Sequence, residues 1–179
     1  MCILEFKVDE AILREDTKGG LHIANSAALQ HTYFEMPVRF NVAGVELLEK
    51  PIAAHTQLWI SDPHTRNNVP VQRGLAPSPW LSLPILHVAT IGLERVQEAW
   101  ESGTSTYSLP GGSHLSFERS GEDLIVYSGL NGQRSRANYH QILHAFLNFA
   151  SEVRHVLDQA APELRDHQHW GRWFKSELQ

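Results

Sequence analysis

The chain has 179 residues, of which 42% are hydrophobic and 20% are charged, and its formal net charge is −5. This length suits a single domain with a hydrophobic core, and the composition excludes a largely disordered chain. The acidic balance disfavours sequence-independent binding to nucleic acid, which depends on Lys and Arg side chains that neutralise phosphates. The single cysteine, Cys2, rules out an intrachain disulfide and predicts a reducing, cytoplasmic location.

The N-terminal residues predict one strand followed by irregular chain. Apolar and polar residues alternate from Cys2 to Val8, which is typical of a strand with one buried face. The segment from Arg14 to Gly20 predicts a turn-like break, because it ends in a Gly-Gly pair that adopts positive φ freely. The segment from Leu21 to Gln30 fits either a short strand or an irregular connection.

The clearest β segment runs from Tyr33 to Leu48. Alternate positions place apolar residues on one face and mostly polar residues, among them Arg39, on the other. Pro37 lacks an amide donor and therefore predicts an edge strand or a bulge. Ala43 and Gly44 break the alternation, which predicts a bulge or a tight turn. The apolar face comprises Phe34, Met36, Val38, Phe40 and Val42.

Residues 51–80 predict a long Pro-rich loop, with a short strand at Gln57 to Ser61. A connection of this length in a compact domain is usually functional, and a disordered surface insertion is the alternative. The run from Gly74 to Leu93 is uncharged but contains three prolines. We therefore expect it to be a loop that enters a buried helix, and not a membrane span.

The chain after this loop predicts a central helix followed by short strands. Ser82 is a candidate N-cap, with Pro84 in the first turn of a helix that runs from Leu83 to Trp100 and ends at Gly103. Pro-Gly-Gly and Ser-Gly turns then separate three strands. The predicted strands are Thr104–Leu109, His114–Arg119 and Leu124–Ser128.

The C-terminal third predicts a long amphipathic helix with Asn138 as its N-cap. Its apolar stripe, from Tyr139 to Leu157, is broad enough to pack against a sheet. Pro162 then begins a turn or a short helix that is rich in tryptophan. The sequence as a whole predicts a single α+β domain over residues 1–179. In it, a mostly antiparallel sheet packs against the central helix and a long C-terminal helix followed by a short helix.

His140 and His144 are the sharpest candidates for chemistry. Their spacing on the long helix places both imidazoles on one face, as in a pair of zinc ligands. The residue that is a catalytic glutamate in metalloproteases is Gln141 here, and it cannot take up a proton. A solvated helix flank is the alternative to a metal site, and we expect no metal or other cofactor.

His167 and His169 give a second metal hypothesis, because Asp166 lies beside them in the sequence. The two histidines would point to different faces of a helix, although a loop could bring them together. We favour the alternative, in which this short segment buries its tryptophans and exposes the histidines and Asp166.

Acidic and aromatic side chains are the candidates for contact with a protein partner. Glu94, Glu98 and Glu101 lie on the exposed side of the central helix, where they form either a solvated face or an acidic patch for a basic partner. The long loop adds aromatic and cationic residues of the kind that dominate binding energy at interfaces. The candidate partner-binding residues are Trp59, His64, Arg66, Glu94, Glu98 and Glu101.

The order of elements from Tyr33 to Phe174 carries a resemblance to known proteins. A strand that ends in Asn41-Val-Ala-Gly-Val-Glu-Leu-Leu48 precedes a helix, three short strands and a long helix closed by Pro162-Glu-Leu164 and Trp170. This layout resembles that of small bacterial immunity proteins of contact-dependent and polymorphic toxin systems. The resemblance implies stoichiometric binding to a cognate toxin and blocking of its active site, and it assigns no role to any single residue.

Three functions follow from these features. The first is a non-enzymatic binding protein, most concretely an immunity protein that neutralises a bacterial toxin. The second is a metal-dependent hydrolase that uses His140 and His144 with a third ligand from elsewhere in the chain. The third is a structural homodimer formed through an open sheet edge. Small size, mild acidity, a long loop and the lack of catalytic motifs favour the first.

Overall fold

The computed structural model describes residues 1–50 and 80–174, together with the backbone of residues 59–61 and 68–70. In these residues, antiparallel sheets and helices surround one hydrophobic core, which confirms the α+β class. The helices are α1 (Glu10–Asp16), α2 (Ser26–Thr32), α3 (Ile85–His87), α4 (Leu93–Ser102), α5 (Tyr139–Ala160) and α6 (Trp170–Trp173). The strands are β1 (Cys2–Phe6), β2 (Glu35–Val42), β3 (Val45–Glu46), β4 (Trp59–Ser61), β5 (Asn68–Pro70), β6 (Leu81–Pro84), β7 (Thr104–Ser108), β8 (His114–Ser120), β9 (Asp123–Ser128) and β10 (Arg134–Asn138).

The first sheet is organised around β2, which pairs with β1 on one side and with β3 and β6 on the other. All of these pairings are antiparallel. The predicted apolar face of β2 is confirmed, because each of its five residues is fully buried in the core. The predicted tight turn is also confirmed: Ala43 and Gly44 have φ values of 50° and 90° and join β2 to β3.

Pro37 lies in this central strand, so the prediction of an edge strand is wrong. The Pro37 carbonyl accepts a hydrogen bond of 2.9 Å from the amide of Lys7. The nitrogen and oxygen of a residue face the same side of an antiparallel strand, so the Pro37 nitrogen also faces Lys7. Strand β1 ends at Phe6, one residue before Lys7. The amide proton that Pro37 lacks would therefore lie just beyond the end of the β1–β2 ladder.

Residues 10–32 are mostly helical, which corrects two sequence-based predictions. Helix α1 enters the segment expected to be a turn, and α2 occupies much of the segment expected to be a strand or an irregular connection. The side chains of Asp9 and Asn25 cap the two helices by accepting backbone amides. Each helix has seven residues and buries one leucine, Leu13 or Leu29, so neither shows a recognisable helical period.

The central helix begins later than the sequence predicted. Ser82 is not its N-cap, because it lies in β6 opposite Pro37. The free edge of β2 pairs with the residues up to Pro84 as a strand, and α3 starts immediately afterwards. A π-helical stretch, Val88–Gly92, connects α3 to α4. Gly103, with φ of 95°, ends the helix as predicted.

The second sheet is an antiparallel meander in the order β7-β8-β9-β10. Three of its strands match the predicted strands to within one residue at each end. The fourth, β10, leads directly into α5. Asn138 caps α5 as predicted, since its side-chain oxygen accepts the amide of His140 at 3.0 Å.

Helix α5 joins the two sheets into one core. The ring of Phe146 packs edge-on against Phe40 of the first sheet and Phe117 of the second. Gly92 in the π-helical stretch lies so close to this ring that a Cβ atom there would be 2.9 Å from it. After α5, the buried rings of Trp170 and Phe174 close one end of the core. None of the helices in residues 1–50 and 80–174 is long and apolar enough to cross a membrane.

The two sheets are also joined by hydrogen bonds from serine side chains. The hydroxyl of Ser128 donates to the carbonyl of Leu47 at 2.6 Å, and the hydroxyl of Ser135 donates to that of Val42 at 2.7 Å. These bonds fix two side chains of the second sheet to backbone carbonyls of the first.

Within residues 51–80, predicted to be a loop, the structure describes two short antiparallel strands. Strand β4 confirms the short strand expected within Gln57 to Ser61, and it pairs with β5, which the sequence did not predict. At the base of this segment, Glu49 and Trp80 form an antiparallel bridge. The chain therefore leaves the first sheet and rejoins it at neighbouring positions.

Candidate functional site

Two adjoining cavities, which we call the Trp80 groove, lie where residues 50–79 leave and rejoin the first sheet. The smaller has a volume of about 210 Å³ and is lined by Val38, Arg39, Glu46, Leu48, Glu49 and Trp80. The larger has a volume of about 570 Å³ and is lined by Gly44, Val45, Glu46, Glu49, Lys50, Asn131 and Gln133. The two share Glu46 and Glu49, so they form one surface feature.

The floor of the Trp80 groove is held in place by both sheets. Asn131, in the turn between β9 and β10, donates its side-chain amide to the carbonyls of Glu46 at 2.9 Å and Glu49 at 3.1 Å. The bridge between Glu49 and Trp80 adds a backbone constraint on the other side. The groove is therefore built on fixed backbone.

A charge network organises the polar side of the groove. Arg39 donates to Glu46 through Nε at 2.8 Å, and its Nη2 also contacts that carboxylate. Arg39 Nη1 donates to Glu5 at 3.2 Å, and Asn41 adds a 2.7 Å bond to Glu46. These contacts cross from β1 to β2 to β3 and fix the direction of each side chain.

This network keeps Glu46 ionised. Burial alone would raise the pKa of Glu46, but the hydrogen bonds from Arg39 and Asn41, together with the charge of Arg39, lower it below its usual value. The hydrogen bond to Glu46 is the main cause that raises the pKa of Arg39. Neither group is available to exchange a proton near neutral pH.

Trp80 is the large apolar side chain of the groove, and it is half-buried. The ammonium group of Lys7 lies 4.3 Å from the centre of its ring, and the guanidinium carbon of Arg39 lies 5.9 Å from it. Both distances are within the range of cation–π attraction. Among the described residues of the lining, Trp80 thus presents an aromatic ring that two cations approach.

The side chains of the groove are suited to binding. The described residues that line it contribute amide, carboxylate, ammonium, guanidinium and indole groups, and none of these described residues is a Ser, Cys or His. Nucleophilic and general acid–base catalysis require an activated nucleophile or a group whose pKa lies near the working pH. The described residues that line the Trp80 groove include neither an activated nucleophile nor a group with such a pKa.

The sequence-predicted partner-binding residues fall into two groups. The structure describes the backbone of Trp59 within β4, whereas His64 and Arg66 lie outside the described residues. The three acidic residues of α4 are exposed, as expected for either interpretation of that face. One of them, Glu98, forms an ion pair with Arg95. These acidic residues do not line the Trp80 groove.

His140 and His144 are both exposed on α5. In residues 1–50 and 80–174, no three His, Cys, Asp or Glu side chains are grouped so that they could hold a metal ion. His167 differs from the prediction of an exposed segment, because it is buried. Its Nε2 lies 3.0 Å from the carbonyl of Ala24 and its ring stacks on Trp173. A structural role explains His167.

The structure also reveals a polar cluster that the sequence analysis missed. His87 Nδ1 lies 2.7 Å from the hydroxyl of Tyr107, and the His87 ring is 4.5 Å from that of His31. Burial is the main cause that lowers the pKa of His87 to about 4, and the charges of His31 and Arg95 add to it. Burial also raises the pKa of Tyr107. Both groups are therefore neutral in the folded protein at neutral pH.

The groove residues Lys7, Arg39, Glu46 and Trp80 were not predicted as a site. A signal was present in the alternation of β1 and β2, which places Lys7 and Arg39 on the face away from the core. Trp80 gave no such signal, because its position depends on a pairing with Glu49 across thirty residues of chain. Compared with models of known protein families, with curated proteins and with solved structures, the chain has no match.

Proposed function

We propose that this chain is a non-enzymatic binding protein that holds one protein partner in the Trp80 groove. The most concrete form of the proposal is an immunity protein that neutralises a cognate bacterial toxin by stoichiometric binding. The observation that carries it is the groove itself: a half-buried tryptophan and fixed charges surround a large open cavity, and the described residues of its lining include no Ser, Cys or His.

The energetics of interfaces support the groove as the contact surface. Binding energy at protein interfaces is concentrated in a few Trp, Tyr and Arg side chains that fill or line pockets. Trp80 and Arg39 are of this kind, and both are held by neighbours before any partner arrives. A side chain that is already ordered loses little conformational entropy on binding, which favours tight association.

The toxin as partner rests on the resemblance in layout and on the charge of the chain. An immunity protein acts by contact and needs no chemistry of its own, in agreement with the lining of the groove. The net charge of −5 and the exposed glutamates of α4 favour a basic partner and would speed its approach.

Binding to the product of the neighbouring gene tests the proposal. The two purified proteins are mixed, and the complex is measured by size-exclusion chromatography with light scattering and by calorimetry. We expect a one-to-one complex. Trp80→Ala should weaken it by about tenfold or more, because a central tryptophan is removed from the interface. The folding of each variant is checked by circular dichroism and thermal unfolding.

Tyr127→Ala is the matched control, because Tyr127 is an exposed aromatic residue on the second sheet, 41% exposed and outside the groove. It should bind like the wild type. Lys50→Glu tests the groove at a second position, because it reverses the charge of an exposed residue that lines the larger cavity. No complex with the neighbouring product, or equal losses for Trp80→Ala and Tyr127→Ala, would overturn the proposed site.

A further inference from the structure

The two edges of the second sheet differ in their chemistry. At one edge is β7, which pairs with β8 alone, and at the other is β10, which pairs with β9 alone. Backbone hydrogen bonds join Gly103 to Arg119 and Leu109 to Ser113, so odd-numbered residues of β7 face β8. The amide and carbonyl groups of Thr104, Thr106 and Ser108 therefore face away from the sheet.

This edge of β7 is open to solvent. Thr104, Thr106 and Ser108 are all exposed. In the described part of the chain, the one hydrogen bond to the outward backbone groups of these residues is that from the Ser102 hydroxyl to the Thr104 carbonyl, at 3.1 Å. A carbonyl oxygen accepts two hydrogen bonds, so Thr104 retains capacity. Three consecutive outward positions are thus ready to pair with another strand.

Natural sheets usually protect an edge of this length with a charge, a proline or a bulge. The β10 edge follows this rule, because its outward positions include Arg134 and Arg136. The β7 edge does not: its sequence, Thr-Ser-Thr-Tyr-Ser, contains no charge and no proline, and its pairing with β8 runs without interruption. The absence of these protections indicates that the protein tolerates or uses pairing of β7 with a strand of another molecule.

We propose that β7 pairs with β7 of a second copy of this chain, in an antiparallel dimer whose two-fold axis passes beside Thr106. The inference is independent of the proposed function. In this arrangement the meanders of both copies form one continuous eight-stranded sheet. The paired strand β7 contributes no residue to the described lining of the Trp80 groove. The dimer closes, because a two-fold contact uses the same edge on both copies.

The sequence of β7 matches its own antiparallel image. Thr106 faces Thr106 of the second copy, and Thr104 faces Ser108 of the second copy. Each facing pair exchanges two backbone hydrogen bonds. The side chains that meet all carry hydroxyl groups, and Thr–Thr and Thr–Ser pairs are favourable across antiparallel strands. An unrelated extended peptide would gain the same backbone bonds without this matching of side chains.

Sedimentation velocity of the full chain, at concentrations from about 1 to 100 µM, tests the dimer, since small interfaces give weak association. We expect a monomer–dimer equilibrium for the wild type. Thr106→Pro should be monomeric throughout, because it removes the amide at the centre of the pairing. Its ring is tolerated in the monomer, since that amide faces away from β8. Thr106→Val keeps the amide and should dimerise.

If Thr106→Pro folds poorly, Thr106→Lys and hydrogen exchange test the same pairing. Thr106→Lys leaves the β8 ladder intact but places like charges opposite each other at the two-fold axis, so it should also be monomeric. In hydrogen exchange, the wild-type amides of Thr106 and Ser108 should be protected at high concentration and exchange rapidly at low concentration. A wild type that stays monomeric at about 100 µM, or a dimer that survives both substitutions, overturns the inference.

Discussion

The two sheets are built in different ways from the same chain. The second sheet is a meander in which each strand pairs with the next, through short turns. The first is assembled from distant segments: its central strand β2 receives β1 from the N-terminus and β6 from beyond residue 80. Irregular features are concentrated in this non-local sheet, which contains a proline in its central strand and the departure of residues 50–79.

The outer faces of the two sheets also differ, in their side chains and in their cavities. On the first, Arg39 contacts two carboxylates and lies near the ring of Trp80 beside a large cavity. The outer face of the second sheet has a cavity of about 230 Å³ lined by Ser116, Glu118, Ile125, Tyr127 and Arg134, which is smaller than the larger cavity of the Trp80 groove. The proposed recognition surface therefore lies on the first sheet, whereas the proposed dimer edge lies on the second.

The largest expected loss of stability comes from a change in the packing that joins the two sheets into one folding unit. Phe146 contacts aromatic rings in both. Phe146→Ala should lower the free energy of unfolding by about 3–5 kcal/mol, because a buried aromatic side chain is lost and a cavity remains. Hydrogen exchange should show that the amides of both sheets lose protection together. Chemical denaturation gives the magnitude.

His144→Ala is the control, since His144 lies on the same helix but is exposed. It should change stability by less than about 0.5 kcal/mol. If Phe146→Ala lowers hydrogen-exchange protection in one sheet and leaves the other protected, the two sheets are separate folding units.

A smaller loss of stability is expected from a change at the start of β2. It should affect the first sheet before the second. Phe34 is fully buried and has φ of 56°, a conformation that costs about 1–2 kcal/mol for a residue with a side chain. Its amide donates to the carboxylate of Asp16 at 2.7 Å, and its carbonyl accepts from Ile85 at 3.1 Å. The two bonds hold the residue in this conformation.

Asp16→Ala should therefore destabilise the protein by about 1–3 kcal/mol, because it leaves a partly buried amide without its charged acceptor. Hydrogen exchange should increase first in β2 and β6, before the second sheet responds. Glu15→Ala is the adjacent control, since Glu15 is exposed and contacts only Lys18 at the surface. Equal effects of the two substitutions would show that Asp16 does not hold Phe34.

The contrast between the sheets explains what the sequence could predict. The meander and its turns depend on residues close together in the chain, such as the Pro110-Gly-Gly and Ser120-Gly segments, so three of its four strands were predicted almost to the residue. The fourth, β10, was not predicted as a strand. The caps at Asn138 and Gly103 are local signals as well, and both are confirmed. Long amphipathic helices such as α5 repeat their pattern often enough to be recognised.

The first sheet could not be predicted in this way. Whether Pro37 lies at an edge or in the centre depends on β6, which is more than forty residues away in the sequence. For the same reason, Ser82 resembled a helix cap, although pairing with β2 makes it a strand residue. The candidate site depends on the same distant pairing, because Trp80 reaches Lys7 and Arg39 only after β6 has joined β2.

The smallest expected effect is a dependence of stability on pH that originates at His87, where the second sheet meets the helices. The folded protein keeps His87 neutral, with a pKa lowered to about 4, whereas the unfolded chain takes up this proton near the ordinary value of 6.5. Between these two values the unfolded state binds more protons, so the free energy of unfolding should decrease as the pH falls from about 6.5 to 4.

The groups that face His87 are His31 on α2, Tyr107 on β7 and Arg95 on α4. Because the ring is only half-buried, solvent screening limits the loss to about 1 kcal/mol. His87→Gln should remove this part of the dependence, so denaturation of both proteins at pH 7 and pH 4.5 isolates it from the titration of carboxylates. If the wild type and His87→Gln lose stability in parallel, the proton is taken up elsewhere.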